Sequence, residues 1–289
     1  MNAARLAAPG KLNLSLRVVG RRTDGYHLLD TVMVLLELAD ELLLLPGCAG
    51  LRVDGTAAEG VPVAPDANLA WRGLLHGHGG APPAACLTLE KRIPAAAGLG
   101  GGSSDAAAGW RLGRWASGRA DDMPDEATLH TLAAIGADVP FFAAGAAAAR
   151  VGGIGERVQS VAMPEGGSEV VLAHPPFALS TAAVFAELRR PEWGAAGAGG
   201  NDLLAPALRL RPELEEVLRL VTAAGGAPQL TGSGPTVFAR TDDPERADAI
   251  ARRLERAGLR ATRTRLRAQP ASIEVLDAEH TEHDEDEEA

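Results

Sequence analysis

Residues 11–18 alternate strictly. Leu12, Leu14, Leu16 and Val18 fall on one side, and Lys11, Asn13, Ser15 and Arg17 on the other. A period of two is that of a half-buried strand, so Lys11 and Asn13 are predicted as neighbours on its polar face. Residues 22–27 follow as Arg-Thr-Asp-Gly-Tyr-His, and Asp24-Gly25 predicts a turn. Runs at 31–36, 41–45, 51–53 and 86–91 predict further strands, the last leading into Ile93-Pro94. A helix is predicted over 103–116, with serine at the cap and Asp105 in the first turn. Another is predicted over 124–135, stopped by Gly136 and followed by a loop at 137–140. Glu165-Gly166-Gly167-Ser168 marks a domain boundary. Beyond it the pattern reads strand (169–173), helix (181–188), a flexible Gly/Ala stretch (194–200) and two helices (202–210, 212–224). Residues 229–238 then read as strand, glycine turn, strand. Asp243-Pro244 opens a last helix, with a cap residue before proline at the first helical position, and 259–266 is a last strand. Mixed elements in both halves predict an α+β chain of two domains, 1–164 and 165–276.

Composition refines this picture. The 289 residues include 38 acids and 28 bases, a net charge of −10. Eight of those acids and none of the bases lie in residues 277–289, leaving 30 acids against 28 bases and a net of −2 for the rest. The charge therefore belongs mostly to an acidic tail, 277–289, expected to be disordered and solvated. Ten aromatics and no basic cluster argue against a nucleic-acid binder. The most apolar stretches, 31–45 and 139–149, are too short or too charged to span a bilayer, which takes about 20 apolar residues. The N-terminus lacks a basic region followed by an apolar run, so no signal peptide is expected. Cys48 and Cys86 sit in no zinc or redox spacing. They read as two small core residues in a reducing cytoplasm rather than a disulfide framework. Only Lys11 and Lys91 are lysines, so each is a candidate for a role arginine does not fill.

The chemistry concentrates in residues 94–104: Pro94, Ala95, Ala96, Ala97, Gly98, Leu99, Gly100, Gly101, Gly102, Ser103 and Ser104. A glycine-rich loop between strand and helix lets backbone approach an anion, and the helix start presents unpaired N–H groups. The serine hydroxyls add donors or a metal ligand. The competing reading is a glycine linker, which does not need glycines packed against a helix start.

This loop resembles the phosphate loop of the GHMP kinases, which include galactokinase, homoserine kinase and mevalonate kinase. Two other segments resemble that family's remaining motifs, in order: Pro9-Gly10-Lys11-Leu12-Asn13-Leu14, and residues 230–238, Leu-Thr-Gly-Ser-Gly-Pro-Thr-Val-Phe. The resemblance covers the chain to about residue 275. Residues 11–14, Asp24-Gly25-Tyr26-His27-Leu28-Leu29 and Gly136-Ala137-Asp138-Val139-Pro140-Phe141-Phe142 resemble the branch acting on a cytidine-diphosphate-linked erythritol in isoprenoid precursor synthesis. The loop departs from many relatives in carrying Ala95-Ala96-Ala97.

The resemblance implies an N-terminal kinase domain, a C-terminal ferredoxin-like domain, and ATP-dependent phosphorylation of an alcohol in the cytoplasm. It implies Asp138 as the base and Lys11 as its charged neighbour; the competing readings are a loop or cap aspartate and a solvated lysine. Asn13 would hydrogen-bond the substrate diol. Tyr26 would stack on cytosine, His27 would read its edge, Phe185 would cover its other face, and Thr181 would reach the substrate from its helix start. Phe185 reads equally well as a core residue. Gly232, Ser233 and Gly234 would form a turn near the phosphates, or else only a tight hairpin. Residues 94–104 would hold ATP, with Asn68 bordering the adenine. Mg²⁺ is expected with ATP, on Ser103 or Ser104. The expected partner is a small molecule with a cytidine diphosphate moiety, with neither nucleic acid nor membrane. The weighed alternatives are another GHMP kinase, of homoserine or mevalonate type, and a ligand sensor of the same fold without chemistry.

Overall fold

Two long strands, β1 (Ala3–Arg21) and β2 (His27–Pro46), pair antiparallel and carry most of the first half. The structure, a computed structural model, describes residues 2–119, 123–197 and 199–276. The acidic tail predicted at 277–289 lies outside the described residues. After β2 come β3 (Gly50–Asp54), α1 (Leu69–Gly77), β4 (Ala85–Glu90), α2 (Gly101–Ala116), α3 (Glu126–Ala133), α4 (Val139–Ala143), β5 (Ala148–Gly153) and β6 (Arg157–Ser160). The second half holds β7 (Glu169–His174), α5 (Thr181–Glu187), α6 (Leu204–Leu210), α7 (Leu214–Ala223), β8 (Gln229–Leu230), β9 (Val237–Thr241), α8 (Pro244–Arg256), β10 (Arg260–Arg265) and β11 (Glu274–Leu276).

Among the described residues the first sheet has seven strands, β11-β1-β2-β4-β3 with β5 and β6 branching from β2. The second has four, β10-β7-β9-β8. Counted within its half, that order is 4-1-3-2, the ferredoxin-like arrangement. The fold is α+β, as predicted. The last strand, β11, returns to pair with β1, Ala3 opposite Leu276. We propose the same division near residue 165, with this strand given back to the first half.

The alternation in β1 does not run through to Val18. Asn13 pairs with Met33 but Ser15 with Val32, so Leu14 is an extra residue on β1. One extra residue flips every later side chain to the other face. Leu12 packs with Leu36, Val170, Leu172 and Phe238 between the two sheets. Leu16 and Val18 instead join the core under α5 to α8. Leu16 therefore ends up in the same cavity as Lys11 and Asn13. The strand's polar face is itself buried, with Lys11 and Asn13 each 3 % exposed.

Two other expectations change. The runs at 31–36 and 41–45 are one strand, whose register against β1 shifts between Pro9 and Lys11. Cys48 and Cys86 form a disulfide, with Cα atoms 5.1 Å apart. Parallel pairing of β3 with β4 sets Gly50 beside Cys86 and brings Cys48 within reach, a proximity that a separation of 38 residues does not reveal. Among the described residues no helix is long and apolar enough to cross a membrane.

Behind the glycine loop, α1 and α2 press backbone to backbone. A methyl group on Gly73 would lie 1.9 Å from Ala106 O, and one on Gly109 would lie 2.1 Å from Ala70 O. That contact seats the start of α2 against the sheet.

Candidate active site

A cavity of about 610 Å³ opens between the halves, within the range of small-molecule sites. Lys11, Asn13 and Leu16 line it from β1, residues 94–98 and 100–103 from the glycine loop, and Asp138 from the turn before α4. Thr181 and Phe185 of α5, with Gly232 and Ser233, close the far side.

The loop has the conformation its glycines allow. Gly98 (φ +76°) and Gly100 (φ +70°) are left-handed, and so is Ala96 (φ +53°), the one non-glycine residue at positive φ among those described. A methyl group on Gly98 would meet Thr231 O at 2.6 Å and Gly234 O at 3.0 Å. The loop thus packs directly on the turn at 231–234. Gly100, not a serine, caps α2, which begins two residues earlier than predicted. Ser103 therefore falls in the first turn and faces the cavity. Ser104 is buried and lines a separate crevice with Arg111. Leu99 is also buried, and contributes its carbonyl to the Lys11 amide at 2.9 Å.

Lys11 is the centre of the polar array. Its ammonium donates to Asn13 Oδ1 at 2.6 Å and Gly98 O at 2.9 Å, and lies 3.5 Å from Asp138 Oδ2. Asn13 Nδ2 in turn donates to Thr31 Oγ1 at 2.8 Å, a buried partner the sequence did not signal. Asp138 precedes α4, but its side chain caps no helix N–H, so the carboxylate faces the cavity.

A second buried array borders the loop. Lys91 donates to Asp40 Oδ2 and, at 2.7 Å, to Asp105 Oδ2. Asp40 also accepts the amides of Arg92 (2.6 Å) and Ile93 (2.8 Å), immediately before Pro94. Burial pushes the Asp105 carboxyl well above the ordinary carboxylate range, against the pull of Lys91. Burial also opposes the Lys91 charge, but Asp105 and Asp40 outweigh it and raise the ammonium above its ordinary value. Asp105 Oδ1 has no partner among the described residues. Lys91 and Asp105 both line the cavity. The rarity of lysine flagged Lys91; nothing in the sequence joined it to Asp40.

Asn68 lines the cavity wall with its side chain already engaged. Its Oδ1 caps α1 by accepting from Ala70 and Trp71 N–H, and its Nδ2 donates to Pro62 O.

Tyr26, His27 and Gly234 stand outside the cavity lining. Tyr26 is 63 % exposed on the β1–β2 turn. His27 stacks on Phe185, with ring centroids 5.3 Å apart, and meets the edge of Trp193 at 5.6 Å. Burial, helped by Arg21, lowers the His27 pKa. Phe185 itself faces the cavity, so the aromatic cluster sits at its rim. Thr181 Oγ1 and Ser233 Oγ are 2.8 Å apart and tie α5 to the second glycine turn.

The family model for the GHMP kinases N terminal domain matches residues 68–146, and that for GHMP kinases C terminal matches 184–260. A curated relative from Dinoroseobacter shibae, named 4-diphosphocytidyl-2-C-methyl-D-erythritol kinase, is 40 % identical over 273 residues, covering 86 % of this chain and 88 % of its own. A crystal structure of 4-(cytidine 5'-diphospho)-2C-methyl-D-erythritol kinase superposes with TM-score 0.73 and 34 % identity, covering 91 % of this chain and 98 % of that one. Homoserine kinase from Cytophaga hutchinsonii shares the fold at TM-score 0.65 and 16 % identity, over 95 % and 98 % of the two chains.

Proposed function

The chain belongs to the GHMP kinases, and from that premise we propose that it transfers the γ-phosphoryl group of ATP to the 2-hydroxyl of 4-diphosphocytidyl-2-C-methyl-D-erythritol. The observation that carries the reading is the Lys11–Asp138 pair at the floor of a cavity walled on one side by the glycine loop. The His27–Phe185 stack stands at its rim.

Phosphoryl transfer asks a protein for positioning and charge stabilisation more than for covalent chemistry. Backbone N–H groups of residues 98–102 and the start of α2 suit the ATP phosphates. Asp138 takes the proton of the substrate hydroxyl as its oxygen bonds to the γ-phosphorus. The bond from that phosphorus to the β–γ bridging oxygen breaks, and ADP leaves. Lys11, held by Asn13 and Gly98, stabilises charge on the transferring group. Oxygen donors suit Mg²⁺, and Ser103 fits as a protein ligand because it faces the cavity beside the loop; the ion would neutralise phosphate charge. Thr181 and Ser233 meet the substrate from the second half. The aromatic rim favours a nucleobase over homoserine or mevalonate, which have none.

A coupled ADP-release assay with the cytidyl substrate, homoserine and mevalonate tests this. Turnover of the first alone is expected, and turnover of either other compound in its place overturns the assignment.

A further inference from the structure

Asn201 lies outside the cavity lining and outside every motif of the sequence. Its carboxamide is nonetheless fully directed. Nδ2 donates to Leu230 O at 2.9 Å and to Gly232 O at 2.8 Å, while Oδ1 accepts from Leu203 N at 2.9 Å. The backbone on either side is bound to β1: Leu16 N donates to Gly200 O and Asp202 N to Leu16 O, each at 2.9 Å. Buried Asp202 adds three more bonds, accepting from Val18, Gly194 and Ala196 N–H at 2.6–2.9 Å. The Gly/Ala stretch at 194–200 is thus anchored at two of its amides, and Asn201 stands rigidly on the strand that carries Lys11 and Asn13.

What Asn201 holds is a peptide plane. Gly232 is left-handed, at φ +56°, and a methyl group there would lie 3.2 Å from Lys11 Nζ. Gly232 and Ser233 line the cavity. In a trans peptide the N–H points opposite to the C=O, so drawing the Gly232 carbonyl toward Asn201 turns the Ser233 N–H the other way. That amide has no protein acceptor among the described residues, although Ser233 is 6 % exposed. A buried N–H without an acceptor is costly unless a ligand or water takes it.

We infer that Asn201 is a positioning residue that fixes the Gly232–Ser233 peptide so that the Ser233 N–H meets a phosphate oxygen beside Lys11. The inference rests on the kinase reading for its ligand. The oxygen belongs either to the transferring phosphoryl group or to the diphosphate of the cytidyl substrate.

The isosteric variant Asn201→Asp keeps the acceptor for Leu203 N–H and replaces the donor by an oxygen facing two carbonyls. It should lose about 10- to 100-fold in kcat/KM, in line with losing one hydrogen bond to a charged group, while KM for ATP stays within threefold. A loss in kcat assigns the oxygen to the transferring group, and a rise in KM for the cytidyl substrate assigns it to the diphosphate; both support the inference. A folded variant with kcat and both KM values within twofold of wild type overturns it. A second measurement does not depend on that variant folding. In ¹⁵N-serine-labelled wild type, the Ser233 amide resonance should shift downfield on adding a non-hydrolysable ATP analogue or CDP, and a resonance unmoved by both overturns the inference. If the wild type fails to phosphorylate the cytidyl substrate, the functional reading falls, while the titration with the ATP analogue still decides whether the Ser233 N–H meets a phosphate oxygen.

Discussion

The Lys11 ammonium and the Asp138 carboxylate stand 3.5 Å apart with opposite exposure, 3 % for the lysine side chain and 29 % for the aspartate. Lys11 is locked by Asn13 and Gly98, whereas Asp138 is open to the cavity. The fixed charge thus belongs to the fold and the carboxylate to the side that opens on the cavity.

Asp138→Asn tests that division. The shape and the Lys11 anchors persist, but the proton acceptor we propose is lost. Turnover should fall about 10²- to 10⁴-fold, the usual scale of general-base loss, while ADP affinity by calorimetry stays within a few fold. Near-wild-type kcat would show that another group takes the proton.

Gly98→Ala tests the contact between the two glycine segments. The methyl group would press on Thr231 O and Gly234 O at a residue already left-handed. Thr231 is held at both ends, its N–H bonded to Thr236 O and its carbonyl accepting from Gly234 N. The loop and the turn must separate, so KM for ATP and for the cytidyl substrate should rise together. A rise in the ATP value alone would mean that the loop moves without the turn.

His174 gives a pH prediction away from the cavity. Burial, and secondarily the charge of Arg260, lower its pKa from 6.5 to about 4. Its ring contacts Thr262 Oγ1 at 3.0 Å. Between these pH values the unfolded chain binds the proton and the fold does not, so stability is complete above about pH 6.5 and is lost as pH falls toward 4. At about 1.4 kcal/mol per pKa unit, the loss has an upper bound of about 3 kcal/mol. Urea unfolding of wild type and His174→Gln at pH 7 and pH 4.5 measures it. The variant should lose less stability on acidification; equal losses would refute the assignment.

The same residues show what sequence reveals. That Lys11, Asp138 and most of the loop at 94–104 share one cavity was legible through the family resemblance, whose motifs are each continuous in the sequence. The face of Leu16 was not, because one extra residue at Leu14 reversed the alternation. Nor was the Cys48–Cys86 bond, which depends on a parallel pairing between distant strands. Asp40–Lys91–Asp105 and Asn201 were missed for the same reason: their partners lie up to 53 residues away and share no periodic pattern. The serine cap failed because glycine, freed from a Cβ, begins α2 earlier where backbone must approach Lys11 closely.

Tyr26 is the sharpest test of substrate identity. At 63 % exposure on the β1–β2 turn it supports little of the fold, so Tyr26→Ala should change stability by no more than about 0.5 kcal/mol. Any functional loss is then a binding loss. Stacking of one base on an aromatic ring contributes about 1–3 kcal/mol, so KM for the cytidyl substrate should rise roughly 5- to 150-fold with KM for ATP unchanged. Phe185→Ala should act in the same direction but also cost stability, because Phe185 supports the His27 ring and packs on the core of the second half. Steady-state assays varying each substrate in turn, with thermal melts of both variants, separate the two effects. If Tyr26→Ala changes only the ATP constant, the tyrosine serves the other nucleotide and the cytidine end of the cavity lies elsewhere.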